Sequence, residues 1–257
     1  MVLSRYILCF LFCSIALQSC VSFNNEKNKK SAFYKMEIGI SHLENNNLPL
    51  ALKEFLEAVE LDPTNALIHN NLGILYFMRE KFELSAKYFL KATDLDSKFT
   101  DAKNNLARVY IEQKQLTKAQ KILDVVLADL TYTNSGAAYF NYGLSWFNQN
   151  QYSEAKNYFE KAISERRSDC LTLVYYGRSL LELKMYDSAT SQLDRATTFC
   201  SQQLVDEAHF YSAISYFRSG NPQKSLARFE ELIKLFPNGK NYEKSQQMIE
   251  LIRKGIK

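Results

Sequence analysis

The chain has 257 residues, of which 46% are hydrophobic and 23% charged, with only eight glycines and four prolines. So few breakers exclude the turn-dense punctuation of an all-β protein and leave long helices. A net charge of +4 from 32 basic and 28 acidic residues spread along the chain excludes a polyanion-binding surface, so no nucleic-acid partner is expected.

Arg5 is the sole charge in the first 25 residues. The apolar stretch from Tyr6 to Leu17 is too short for a stable span and ends in small and polar residues, so residues 1–19 read as a signal peptide. Leu17-Gln18-Ser19-Cys20 resembles the bacterial lipobox, which implies cleavage before Cys20 and lipidation of its thiol. Acyl chains contribute roughly 0.8 kcal/mol per buried CH2, so such an anchor is stable. Val21 stands where an aspartate would imply inner-membrane retention, so the resemblance implies the outer membrane, with the protein lipid-anchored and facing the periplasm. Residues 20–31, including Lys27-Asn28-Lys29-Lys30, read as a flexible, solvated tether, and residues 32–257 as the folded domain.

Self-comparison organises that domain. Gly39 and Gly73 are 34 residues apart, as are Gly143 and Gly177, each inside an amphipathic helical pattern where glycine costs roughly 1 kcal/mol against alanine. A cost repeated at a fixed period has a packing cause. The spacing resembles the tetratricopeptide repeat, with a small residue at position 8, aromatics at 11 and 24, small residues at 20 and 27 and proline at 32. The repeats begin near Ala32, Ala66, Thr100, Gly136, Cys170 and Asp206, with two extra residues before the fourth and the sixth. Ile38, Gly39, Ala51, Phe55, Ala58 and Pro63 mark the first copy; Tyr142, Gly143, Trp146, Ala155, Phe159 and Ala162 mark the fourth. The predicted fold is therefore all-α, a right-handed superhelical solenoid of about six helix-turn-helix repeats, with a capping helix over Asn241–Ile256. The aromatic stripe of Tyr76, Phe89, Tyr110, Trp146, Phe159, Tyr216 and Phe229 reads as core.

No constellation for catalysis appears. His42, His69 and His209 fall on packing positions of separate repeats, and no phosphate loop, nucleophile elbow or zinc-protease motif is present. No enzyme activity, cofactor or metal is expected. Cys9 and Cys13 lie in the signal segment, leaving Cys170 and Cys200 at the same end of one helical hairpin, either bridged or separately buried.

Helix A positions 2, 5, 9, 12 and 13 line the binding groove of such repeats. They supply a mainly apolar candidate surface: Met36, Ile40, Asn70, Ile74, Phe77, Asn104, Arg108, Phe140, Leu144, Phe147 and Arg178. The asparagines suit a peptide backbone and the arginines acidic side chains.

Taken with the lipobox, the six repeats, Leu130-Thr131-Tyr132 at the stretched junction and the ending Leu235-Phe236-Pro237 with Tyr242, the chain resembles the type IV pilus assembly lipoproteins of the PilF/PilW and Tgl type. That resemblance implies a protein partner, a secretin subunit or another envelope assembly protein, whose ring the lipoprotein helps to reach the membrane and oligomerise. Two alternative roles stay open at this point, a scaffold for periplasmic peptidoglycan hydrolases and an accessory lipoprotein of outer-membrane protein assembly.

Overall fold

The computed structural model describes residues 25–165, 169–200 and 205–255. The signal segment, Cys20 and the first part of the expected tether lie outside them. Residues 25–31 of that tether are helical, forming the first turns of α1 (residues 25–44). Twelve further helices follow: α2 (Leu48–Leu61), α3 (Ala66–Met78), α4 (Phe82–Leu95), α5 (Thr100–Glu112), α6 (Leu116–Ala128), α7 (Ser135–Phe147), α8 (Tyr152–Ser164), α9 (Cys170–Glu182), α10 (Tyr186–Phe199), α11 (Val205–Arg218), α12 (Pro222–Leu235) and α13 (Tyr242–Gly255). Among the described residues there is no strand. The fold is all-α, built of tetratricopeptide hairpins. They gather into two compact units, residues 1–113 and 114–257, divided at the turn of the third repeat.

Within each unit the same contact recurs. A Cβ added to Gly39, Gly73 or Gly143 would lie 2.6 Å from a ring carbon of Phe55, Phe89 or Phe159, and one on Gly177 would lie 2.5 Å from Leu193. Each pair is sixteen residues apart, position 8 of helix A against position 24 of helix B. This is the packing cause of the periodic glycines. Ser85 Oγ donates to Gly73 O at 2.7 Å, and Ser225 Oγ to Ala213 O at 2.8 Å, a second tie between the same two helices at position 20. Asn47, Asn65, Asp169 and Asn221 cap α2, α3, α9 and α12 through their side chains.

Every turn from helix A to helix B places its second residue in the left-handed region: Asn46, Glu80, Lys114, Asn150, Lys184 and Gly220, with φ between 56° and 77°. The following N–H reaches back five residues, as from Lys81 to Tyr76 O at 2.9 Å and from Asn221 to Tyr216 O at 2.9 Å, the Schellman closure of a helix end. Only Gly220 is free of the Cβ clash that this backbone imposes.

The stretched junctions carry polar seams. Tyr142 Oη donates to Asp124 Oδ1 at 2.7 Å across the first of them. Across the second, Asp194 accepts from Ser212 Oγ and Tyr216 Oη, each at 2.6 Å, and from Arg228 Nη2 at 2.9 Å. At the corresponding position of the first two repeats stand the exposed Leu56 and Leu90.

Cys170 and Cys200 are joined by a disulfide, their Cα atoms 4.8 Å apart, closing the open end of the α9–α10 hairpin. The terminal helix α13 packs Ile249 and Ile252 on Phe229 and Ala213. Ile38, at a position that is buried in the second and third repeats, is 48% exposed, because the first repeat has no preceding hairpin among the described residues.

His209 is 3% exposed, and its Nδ1 is 3.7 Å from Glu231 Oε2. Burial holds its pKa below the ordinary histidine value and Arg228 adds to that effect, while Glu231, Asp194 and Asp206 oppose it.

Two measurements check this packing. Gly143→Leu forces a side chain into Phe159 and should cost about 1 to 3 kcal/mol. Gly220→Ala meets nothing within 4 Å and carries only the strain of φ +77°, about 1 kcal/mol, so its melting midpoint should fall less. For His209, the unfolded chain takes up a proton below about pH 6.5 that the folded chain refuses until a lower pH, so its stability contribution is complete above that value and lost as pH falls below it. Between about pH 7 and about pH 5 the parent should therefore lose more thermal stability than His209→Gln.

Candidate protein-binding surface

The helix A face of each unit decides which of the expected groove residues meet solvent. Position 5 is closed in the first five repeats. Met36 and Phe140 are 1% exposed, Asn70 and Asn104 5%, and Leu144, at position 9, 3%. Neighbouring helices cover them, so these five belong to the packing between hairpins and present little or nothing to a partner. Ile40, Ile74, Phe77, Arg108, Phe147 and Arg178 remain partly exposed.

In the first unit the open residues form a stripe over α1, α3 and α5. Phe33 and Leu67, both at position 2, are 49% and 42% exposed, and Met78 is 45% exposed. Phe77 meets Phe82 edge to face at 5.6 Å, and the Arg108 guanidinium lies 5.9 Å from the Phe77 centroid while its Nε donates to Glu112 at 3.0 Å. Asn105 Nδ2 donates to Asn70 Oδ1 at 3.1 Å, tying α5 to α3. The buried Asn71 Nδ2 beside it has no hydrogen-bond partner among the described residues.

In the second unit Arg178 is the centre. Its guanidinium carbon lies 4.8 Å from the centroid of Phe147, 5.0 Å from Tyr175 and 4.5 Å from Tyr211, and Nη1 donates to Glu207 at 2.8 Å. Residues of α7, α9 and α11 thus converge on one cation. Stacked arginine loses little entropy in such a bracket and gains cation–π attraction on each face. An incoming carboxylate has to compete with Glu207, so Arg178 is first a rivet between hairpins and second a recognition group. Burial pushes the Tyr211 phenol up, against the lowering effect of Arg178. Beside this bracket a cleft is lined by Leu181, Tyr186, Phe210, Tyr211, Ile214 and Arg218.

Sequence reasoning missed Tyr175 and Tyr211, which stand at position 6, where the second, third and fourth repeats carry Asn71, Asn105 and Asn141. The aromatic replacement was the available signal. Leu130, named in the sequence only as part of the stretched junction, is 98% exposed between α6 and α7. Among the described residues no group of histidines, cysteines and acids is placed to hold a metal, and no helix is long and apolar enough to cross a membrane.

Three segments match tetratricopeptide repeat families: residues 39–80, 136–169 and 207–239. No curated protein sequence is significantly similar to the chain. Among solved structures, pilF of Pseudomonas aeruginosa superposes with a TM-score of 0.72 at 20% identity, over 86% of this chain and 99% of that one. PilW, described as a widely conserved type IV pilus biogenesis factor, gives 0.74 at 15% identity, over 86% and 97%. Cut9 from an APC/C assembly gives 0.77 at 17% identity, over 86% of this chain but 43% of its own. These likenesses establish the fold.

The exposure pattern separates binding from folding on one helix. Ile74→Asp with Met78→Ser should leave the melting midpoint within a few degrees of the parent, because neither side chain is buried. Leu72→Asp, at a fully buried site of α3, should cost more than about 3 kcal/mol and abolish a cooperative melt. Circular-dichroism melts of the three proteins decide it.

Proposed function

We propose that the chain is an outer-membrane lipoprotein, anchored through Cys20 and facing the periplasm, that holds secretin subunits of a type IV pilus machine and assists their assembly into a ring. The observation that carries this reading is the mutual extent of the structural match. A repeat protein of any function shares hairpins with another, as the partial cover of Cut9 illustrates; this chain and the two pilus proteins share nearly the whole of the described architecture, 86% of one against 97% and 99% of the others. The lipobox at Cys20 supports export, and the Cys170–Cys200 disulfide is the state expected in an oxidising compartment.

Mechanistically the chain acts by holding. Two helix A faces present half-buried aromatics and aliphatics beside arginines already oriented by Glu112 and Glu207, a surface suited to an apolar segment of a partner with acidic residues beside it. Hairpins fixed by the position 8 contacts keep those side chains in place before the partner arrives, which lowers the ordering cost of binding.

The test is made in cells carrying Ile74→Asp with Met78→Ser. They should contain the secretin subunit but lack its detergent-resistant multimers and lose pilus-dependent motility, and Cys20→Ala should release the protein from membranes. Normal multimers and motility, with the groove variant at parental level in the outer membrane, remove the secretin reading.

A further inference from the structure

The two ends of the repeat array are finished differently. At the C-terminal end α13 covers repeat six and turns Glu243, Lys244, Gln247 and Glu250 to solvent, a mostly polar outer face with Leu251 as its exposed apolar residue. At the N-terminal end no described helix covers α1. Its outward face leaves Tyr34 56% and Ile38 48% exposed, although position 7, where Ile38 stands, is 0% exposed at Leu72 and 4% at Leu106; Phe33, at the groove position 2, is 49% exposed beside them. Phe33 and Tyr34 pack edge to face at 6.0 Å, so the two rings form one apolar patch.

Lys27, Lys29 and Lys30 stand exposed in the turns just before that patch. Lys30, Tyr34 and Ile38 follow one another at intervals of four, on a single face of the helix. Glu26 and Glu37 are also exposed, so the three lysines and two acids sum to a net charge of +1. Basic residues beside tyrosine and isoleucine on one helical face are the chemistry of an interfacial helix, cations at the head groups and rings at the acyl boundary.

We infer that the N-terminal half of α1 docks on an anionic lipid surface through Lys27, Lys29, Lys30 and Tyr34, with Ile38 at its margin. This rests on the proposed anchoring at Cys20. Four residues separate Cys20 from the start of α1, so the two are at most about 17 Å apart along the chain. An anchored chain therefore holds the exposed rings within reach of the lipid, and a lysine near an anionic surface favours contact about fivefold. Docking would fix the orientation of the first hairpin relative to the membrane, where a free leash leaves it tumbling.

The test uses the full-length chain made in an exporting bacterial host, extracted in detergent and reconstituted into vesicles of phosphatidylcholine with phosphatidylglycerol. Tyr34→p-benzoylphenylalanine and Ile38→p-benzoylphenylalanine should yield light-induced lipid adducts, and Met78→p-benzoylphenylalanine should not. Replacing Lys27, Lys29 and Lys30 by Gln, or using phosphatidylcholine alone, should lower the adduct yield at Tyr34 severalfold or more. Vesicle-bound protein with no lipid adduct at either site overturns the docking and leaves the anchor standing. Adducts joining two protein copies overturn it in favour of a protein contact, and protein that never associates with vesicles overturns the anchor and the docking together.

Discussion

Close approach of helix A to helix B, with a glycine Cα lying against the ring or branched side chain sixteen residues later, is the constraint on which the other features rest. The hypothetical Cβ at Gly39, Gly73, Gly143 or Gly177 has no room, at 2.5 to 2.6 Å from its neighbour. Where that contact fixes a hairpin, Ser85 at position 20 can reach the facing carbonyl of Gly73, and the turn residue is held in the left-handed region even where it is Glu80 or Lys184. The stability lost in those turns is offset by packing that only the tight hairpin allows.

The binding surface is what this packing leaves over. Helix A has to serve both its own helix B and its neighbouring hairpins, so position 5 is consumed as core in the first five repeats, while positions 2, 9, 12 and 13 keep part of their surface in most of them. Met36 and Phe140 illustrate the first outcome, Ile74, Phe77 and Met78 the second. Arg178 belongs to both: the rings of Phe147, Tyr175 and Tyr211 and the carboxylate of Glu207 make it part of the structure while it lies beside an open cleft. A surface built in this way is preorganised, and its chemistry varies with the side chains each repeat supplies.

Much of this was legible in the sequence because a period is a property of the chain itself. Gly39, Gly73, Gly143 and Gly177 announced the hairpin contact, and helices begin within one or two residues of the expected repeat starts from Ala66 onward. What stayed hidden depends on neighbours. Whether Phe140 or Phe147 is covered is decided by the adjoining hairpins, and periodicity treats the two alike. Tyr175 and Tyr211 were overlooked because position 6 is polar elsewhere in the array, and the pairing of Asp124 with Tyr142 and of Asp194 with Tyr216 requires knowing which faces meet across a stretched junction. The choice between a bridge and two thiols at Cys170 and Cys200 was likewise a matter of distance, 4.8 Å between Cα atoms, which spacing alone does not give.

The claim that helix A faces are the holding surface is tested most directly by hydrogen exchange of the chain alone and in the presence of detergent-solubilised secretin subunit. Slower exchange confined to helices among α1, α3, α5, α7, α9 and α11, with α4, α8 and α10 unchanged, is the predicted result. Protection confined to α4, α8 and α10, or no change anywhere at saturating secretin, would contradict it.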